Sequence, residues 1–326
     1  MTILIWIVRL ALGLIGLATL GLCALALAAP FHWILALFGA WDRLIMVFGL
    51  VGLAAFWLGK WRVMTLVQAF AIVALLFFNL RVPTLYPPSN LAKAEIAGGQ
   101  TLAWANIHDN RLALKSFALL PEVKQAKAIG LGEVPEYSNL RELFPGIGHP
   151  EFVTPSKETW GVETLGCKVV RPNGELAVFE GRNFGLKARC EGFTLIVLHL
   201  QNPTRGRGEG LRVRNRELAT LAEAVKNEPG PVVIMGDFNT TPSALPFYNL
   251  LQTAGLKRVA CGGPAVGTWR PIGWSGTKLD RIPGLKVTID HVLVRDVDVL
   301  ACKVGPDVGS DHLPLMVKIA PPQSIN

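Results

Sequence analysis

The chain has 326 residues, is 51% apolar and carries a formal net charge of +8. Apolar content is concentrated in residues 3–80, while 27 basic and 23 acidic residues lie beyond Arg81, a net charge of +4 there. The patterning excludes a single small soluble domain, and the mild charge permits an anionic substrate without demanding nucleic acid.

The first apolar run, Ile3 to Ala29, is broken only by Arg9 and exceeds the ~20 residues that span a bilayer. The stretch Ala26–Ala29 resembles a cleavage site, yet a signal peptide's apolar stretch is only about 7–15 residues, so a span is the better reading. Three transmembrane helices are predicted at about 3–29, 44–59 and 63–80, forming a membrane domain over residues 1–81. The second run is short for a span. Between the first two, Phe31–Arg43 with Trp33 and Trp41 suits an interfacial connection that leaves Asp42 and Arg43 at the surface. Lys60 and Arg62 in one short turn predict the cytoplasmic side, and Arg9 agrees. The chain beyond Arg81 then lies on the extracytoplasmic side of an inner or plasma membrane, although Arg81 itself runs against the charge rule.

Residues 82–100 read as a linker, punctuated by Pro83, Pro87, Pro88, Gly98 and Gly99. Short strands then dominate residues 101–320: Thr101–Ile107, Ala128–Leu131, Gly161–Val170, Leu176–Phe179, Phe184–Cys190, Phe193–Leu200, Val232–Met235, Thr288–Val294 and Leu315–Ile319. Turn signals at 171–174 and at Glu191–Gly192 predict hairpins. Asn110 reads as the cap of a helix over Arg111–Leu119. Leu211–Lys226 has helical apolar spacing, and Ser243 or Thr241 is expected to cap a helix through Gln252 that stops at Gly255. Residues 321–326 form a tail. Many strands with a few helices predict an α/β (α+β) fold of two packed sheets with helices outside.

Of five cysteines, Cys23 lies in the first span. Cys167, Cys190, Cys261 and Cys302 lie in the domain that follows, where three disulfide connectivities or free thiols are all open. The chain has no CxxC or Cys/His cluster, which argues against zinc.

The candidate functional residues share one position, the end of an apolar strand: Asn106, Glu133, His199, Asp237 with Asn239, Asp290, and Asp311 with His312. Singly, each has an ordinary structural explanation, an Asp after a strand being a common turn former. Together they would converge on one edge of a sandwich, where loops carry function. Glu133 and Asp311 supply hard carboxylate oxygens for Mg²⁺ or Mn²⁺, and Asn106 adds an amide oxygen. Asp237 and Asn239 are placed to orient and deprotonate a water. His199 and His312 are donors for a phosphoryl group, and Asp290 fixes the tautomer of one of them. That set amounts to metal-assisted phosphoester hydrolysis.

These motifs resemble the endonuclease/exonuclease/phosphatase superfamily, which includes pancreatic deoxyribonuclease and exonuclease III. The resemblance rests on the strand-end Asn106, Glu133 in Ile129–Val134, His199–Leu200, Gly-Asp-Phe-Asn at 236–239, Thr268–Trp269, Ile289–Val292 and Ser-Asp-His at 310–312. It runs through roughly residues 100–320 in order, and implies a four-layer α/β sandwich and an Asp290–His312 pair. Two departures stand out. Gly132 occupies a position where the family often has Gln, and Gly166–Cys167 one where it often has Ser-Arg. Substrate choice is what they leave open.

Arg205, Arg207 and three further arginines through Arg216 form a predicted loop able to grip a polyanion such as nucleic acid or lipid headgroups; a solvated loop is the plain alternative. Trp269 is a candidate substrate contact, and Ile272 and Trp274 in the same loop would suit an enzyme acting on lipid. A nuclease is the first reading. A sphingomyelinase-like or inositol-phosphate phosphoesterase is the second, with the bilayer itself as a partner. A catalytically inactive tethered binding protein is the reading from another class, and it would be marked by loss of Glu133, Asp237, Asp311 or His312, all of which are present.

Overall fold

A computed structural model describes residues 2–91, 99–135, 138–145, 147, 151–153, 162–170, 185–263, 266–270, 277, 282 and 284–320. The expected hairpin at 171–174, the strand Leu176–Phe179, Ile272, Trp274 and the tail lie outside the described residues.

Four helices come first: α1 (Thr2–Leu27), α2 (Trp33–Ala40), α3 (Asp42–Leu58) and α4 (Arg62–Leu80). By length and apolarity α1 and α4 are long enough to cross a membrane, and α2 with α3 makes a third candidate bent by 78°. Small residues let α1 and α3 approach closely. A Cβ at Gly52 would meet Thr19 Oγ1 at 1.8 Å, and one at Gly16 would meet the Phe56 ring at 2.5 Å. Arg9 donates to the Gly59 carbonyl (3.2 Å), which puts the start of α1 beside the Lys60–Arg62 turn. At the opposite end Asp42 is buried rather than exposed, because Asn79 of α4 donates to it (2.9 Å) and accepts from Arg43 (3.3 Å).

The strands are β1 (Thr84–Leu85), β2 (Gln100–Asn106), β3 (Ala128–Gly132), β4 (Glu151–Val153), β5 (Val162–Leu165), β6 (Lys168–Val169), β7 (Gly185–Cys190), β8 (Phe193–His199), β9 (Val232–Asp237), β10 (Lys257–Val259), β11 (Asp290–Arg295), β12 (Val299–Val304) and β13 (Leu315–Ile319). They form a seven-stranded sheet, β1-β10-β11-β9-β8-β7-β6, and a six-stranded sheet, β12-β13-β2-β3-β5-β4. Among the described residues only β1/β10, β8/β9 and β2/β3 pair parallel. The helices of this part are α5 (Arg111–Ala118), α6 (Pro121–Lys124), α7 (Leu140–Leu143), α8 (Glu209–Lys226) and α9 (Leu245–Ala254).

Strand periodicity builds the layers. In β8, Leu195 and Val197 enter the core between the sheets, with Trp104, Met235, Val292 and Val317. Ile196 and Leu198 face the other way, onto Leu218 and Leu221 of α8 and Phe247 and Leu250 of α9. On the far side, Ala103, Ile129 and Leu131 pack against Leu114 and Phe117 of α5. The result is the four-layer sandwich that the strand pattern and the resemblance led us to expect.

Several local expectations change. The predicted strand Gly161–Val170 splits at Gly166 (φ +91°), so that β5 and β6 join different sheets. A Cβ at Gly166 would lie 2.1 Å from the Lys127 carbonyl, so that corner needs glycine. Neither Thr241 nor Ser243 caps α9; Ala244 is its N-cap, with Pro246 setting the first turn, while Gly255 (φ +64°) does terminate it. The arginine stretch is not one loop. Arg205–Gly208 is a 3-10 turn and α8 already begins at Glu209. Inside the expected linker, β1 adds to the edge of the large sheet.

The four cysteines of the sandwich are paired, Cys167 with Cys190 and Cys261 with Cys302, at Cα separations of 4.8 and 4.6 Å, within the range such bridges need. Cys23 is free and buried.

Candidate active site

Strand register assembles the site. His199 sits opposite Asp237 in the parallel β8/β9 pair, and Asp237 sits opposite Asp290 in the antiparallel β9/β11 pair. Asn106 faces Gly132, one residue before Glu133, in β2/β3. Gly236 permits this convergence, since a Cβ there would lie 2.1 Å from the Leu198 carbonyl of the neighbouring strand.

Glu133 is buried. Its Oε1 accepts from Asn106 Nδ2 (3.0 Å) and lies 3.3 Å from His199 Nε2; its Oε2 lies 3.3 Å from His108 Nδ1. Burial alone would raise this carboxyl, but His108, His199 and Asn106 together hold it down at about 2. Asn106 gives its amide oxygen to the His108 N–H (3.0 Å) and its NH₂ to Glu133 and to Asp237 Oδ2 (3.3 Å). A backbone donor fixes that orientation, so Asn106 turns its amino group, not its oxygen, toward the carboxylates.

Asp237 is 1% exposed. Asn239 donates to it from both its backbone N–H (2.8 Å) and its side chain (3.3 Å), and Asn239 Nδ2 also reaches the Leu200 carbonyl (2.9 Å). His199 Nε2 and His312 Nε2 stand 3.5 and 3.8 Å from Asp237 Oδ2. Desolvation pushes this carboxyl up to about 7, against the pull of the two histidines. Asp290 accepts from His312 Nδ1 (2.8 Å) and from the Trp104 indole (2.9 Å). Burial would strip His312 of its proton, but Asp290 outweighs it and raises the imidazole to about 10, so His312 is cationic and directs Nε2–H toward Asp237. His312 in turn helps to hold Asp290 below its ordinary value against burial.

The closing Ser-Asp-His loop is held at several points. Ser310 Oγ donates to the Asn106 carbonyl (2.8 Å) and accepts from the His312 N–H (3.1 Å). The Trp269 indole donates to Asp311 Oδ2 (3.0 Å), so this ring fixes a carboxylate. Arg270, 1% exposed, donates to the Ser310 carbonyl (2.6 Å) and to Asp307 (2.5 Å). Arg205 and Arg207 are exposed, and Arg205 lines the cavity above the site.

The structure thus brings Asn106, Glu133, His199, Asp237, Asn239, Asp290, Asp311, His312 and Trp269 together; Arg205 stands at the rim and Arg207 apart. It adds residues that strand-end reasoning passed over. His108 lies in the turn after β2, at φ 51°, between Glu133 and Asp311 (3.6 Å). Arg214 is buried on α8, donates to the Asn239 carbonyl (2.7 Å) and keeps its charge although burial lowers it to about 10. Three site residues, His108, Glu133 and Asn239, have left-handed backbones, a local strain typical of functional sites. Gly132 also gains a reason: a Cβ there would meet the Trp104 ring at 2.8 Å, so the indole that holds Asp290 excludes a longer side chain.

Among the described residues two groups bring metal-binding atoms within 4.8 Å of one another: Glu133, His199 and Asp237, and Asp237, Asp290 and His312.

Three solved structures share the fold, each aligned to 67% of this chain and 98% of its own. They are an AP endonuclease from Archaeoglobus fulgidus (16% identity, TM-score 0.53), a 3′ phosphatase from Neisseria bound to a product DNA hairpin (18%, 0.53) and a 3′-5′ exonuclease from Neisseria meningitidis (17%, 0.54). No curated protein matches the chain. The Endonuclease/Exonuclease/phosphatase family matches residues 143–312, more than half of the chain, and the chain belongs to that family.

Proposed function

We propose that the chain is a membrane-anchored, divalent-metal-dependent phosphodiesterase. The observation that carries this reading is the convergence of carboxylates and imidazoles on one strand-end cluster in a sandwich of this family. Mg²⁺ or Mn²⁺ fits the donor set. Asp311 Oδ1 is buried and accepts no hydrogen bond among the described residues, and His108 Nδ1 stands 3.6 Å from it and 3.3 Å from Glu133 Oε2. Glu133 and Asp311 would hold the ion, with Asn106 orienting Glu133. When bound, the ion neutralises phosphoryl charge and polarises the phosphorus–oxygen bonds.

The protein's own groups supply the rest. Asp237, positioned by Asn239, accepts a proton at Oδ2 from an attacking water. His312 presents Nε2–H to the phosphoryl oxygens and stays cationic beside Asp290, while His199 donates from the other side. Water adds its oxygen to phosphorus, one phosphorus–oxygen ester bond breaks, and the leaving alkoxide takes a proton. Anchoring through α1, α4 and the bent α2–α3 pair is supported by their length and apolarity, and an extracytoplasmic domain by its two disulfides. A nuclease is a second reading, favoured by fold neighbours that act on DNA.

The test is turnover of a soluble phosphodiester by the full chain in detergent, with Mg²⁺, Mn²⁺ or EDTA. EDTA should abolish it, and Asp237→Ala and His312→Ala should each cost about 10²–10⁴-fold. Turnover that survives both EDTA and the substitutions would overturn the reading.

A further inference from the structure

The catalytic cluster does not open onto bare solvent. It forms one end of a cavity of about 940 Å³ whose other end is made by the helical bundle. Glu133, His199, Asp237 and His312 line the polar end; Leu27, Phe31, Leu37, Leu75 and Phe78 line the apolar end. That volume is at the top of the range for small-ligand sites, enough for a headgroup and part of a chain.

Each helix of the bundle contributes to it: the last turn of α1 (Ala26, Leu27), the second half of α2 (residues 36–40), the start of α3 (Asp42) and the end of α4 (Leu75, Phe78). Trp41 donates to the Leu285 carbonyl (3.0 Å) and Arg81 to the Ser243 carbonyl (3.5 Å), which fastens bundle to sandwich at this cavity. Phe31, Ile34 and Leu37 of this end of the bundle are 84%, 45% and 38% exposed, apolar side chains suited to a bilayer interface.

The charges at the rim are local. Arg81 stacks between Phe78 and Tyr248, its guanidinium 4.5 and 4.3 Å from the two ring centres, and its buried Nε finds no acceptor among the described residues. It lines the cavity together with Arg205 and the buried Arg214. Arg81 is the cation that ran against the charge rule for this side of the membrane, and an anionic headgroup at the cavity mouth gives it a reason to be there.

We propose that the substrate is a bilayer phospholipid, drawn in sideways so that its phosphodiester reaches the Glu133–Asp237–His312 cluster while its acyl chain lies along α1 and α2. The proposal rests on the phosphodiesterase reading above. Hydrolysis adds water's oxygen to phosphorus, breaks one ester bond, and leaves the acyl chains in the bilayer as an alcohol or a phosphate monoester.

The test uses the full chain reconstituted in phosphatidylglycerol–phosphatidylcholine vesicles with Mg²⁺. Three rates are compared: headgroup release from the vesicles, turnover of bis(p-nitrophenyl) phosphate, and cleavage of single-stranded and duplex oligonucleotides. Vesicle lipid should be hydrolysed and oligonucleotides left intact. Leu37→Arg and Ala36→Trp, which charge or fill the apolar end, should each lower the ratio of lipid to soluble-diester turnover by about tenfold or more. Turnover of the soluble diester with oligonucleotides preferred over lipid, or with that ratio unmoved in both variants, overturns the lipid proposal alone. Absence of turnover on all three overturns the phosphodiesterase reading and the lipid proposal with it.

Discussion

Replacing Arg270 by alanine tests whether the loop carrying Asp311 and His312 is held from beneath. Arg270 is 1% exposed, and its partners include Ser310 and Asp307, which differ in character. Ser310 is buried, so its carbonyl loses its partner with no water to replace it, at about 1–3 kcal/mol. The Asp307 side chain is 40% exposed, so losing that ion pair costs only about 0–1 kcal/mol after screening. The sum is about 1–4 kcal/mol for Arg270→Ala; Asp307→Ala leaves the Ser310 bond in place and loses the ion pair and the exposed Gly309 N–H contact (2.8 Å), about 1 kcal/mol. Ser310 directly precedes Asp311 and His312, so losing the partner of its carbonyl should shift the loop, and a displacement of about 1 Å at the chemistry costs on the order of 10²-fold in turnover. Urea midpoints in detergent, followed by near-ultraviolet circular dichroism, read the stability, and soluble-diester turnover reads the geometry. Equal losses in the two variants, or an Arg270→Ala loss below about 1 kcal/mol, would refute the reasoning.

Gly132→Gln should displace the Trp104 indole from Asp290, costing about 1–3 kcal/mol by overpacking together with much of the activity. Combined with Trp104→Leu its effect should be less than additive, and full additivity would contradict the contact. His291 is neutral, because burial and then Arg258 lower it to about 3, and it is held at the Thr240 carbonyl (2.9 Å). Between its ordinary value of 6.5 and about 3 the unfolded chain binds the extra proton, so stability falls as pH drops through that window. Melting temperature against pH should show a shallower acid decline for His291→Gln; identical slopes would rule this out. Reducing the Cys261–Cys302 bridge, which closes a 41-residue separation, should cost about 4 kcal/mol by chain entropy, read as a lower melting temperature in dithiothreitol and in Cys261→Ser.

Much of the sandwich was legible because β8, β9 and β13 are apolar runs of strand length ended by glycine or polar residues. The motif at 236–239 was readable for a steric reason: Gly236 must let β8 and β9 close, and Asp237 must leave the strand at their common edge. What the sequence hid depends on partners. The strands β1 and β10 are two and three residues long, and pairing rather than periodicity makes them strands. His108 belongs to a turn whose left-handed backbone no local pattern announces. Arg214 looked like part of a solvated arginine run, yet α8 starts early and turns it inward onto Asn239. The apolar end of the cavity could not be read from either half of the chain alone, since it exists only where the bundle meets the sandwich.

The most direct test of the central claim is hydrolysis of bis(p-nitrophenyl) phosphate by the full chain in water enriched in the heavy oxygen isotope, with Mg²⁺, for the native protein and Asp237→Asn. Attack of water at phosphorus puts one heavy oxygen in the p-nitrophenyl phosphate and none in the nitrophenol, and product should be lost in EDTA and in the variant. Label in the nitrophenol, or product that forms equally well without metal or with Asn at position 237, would contradict it.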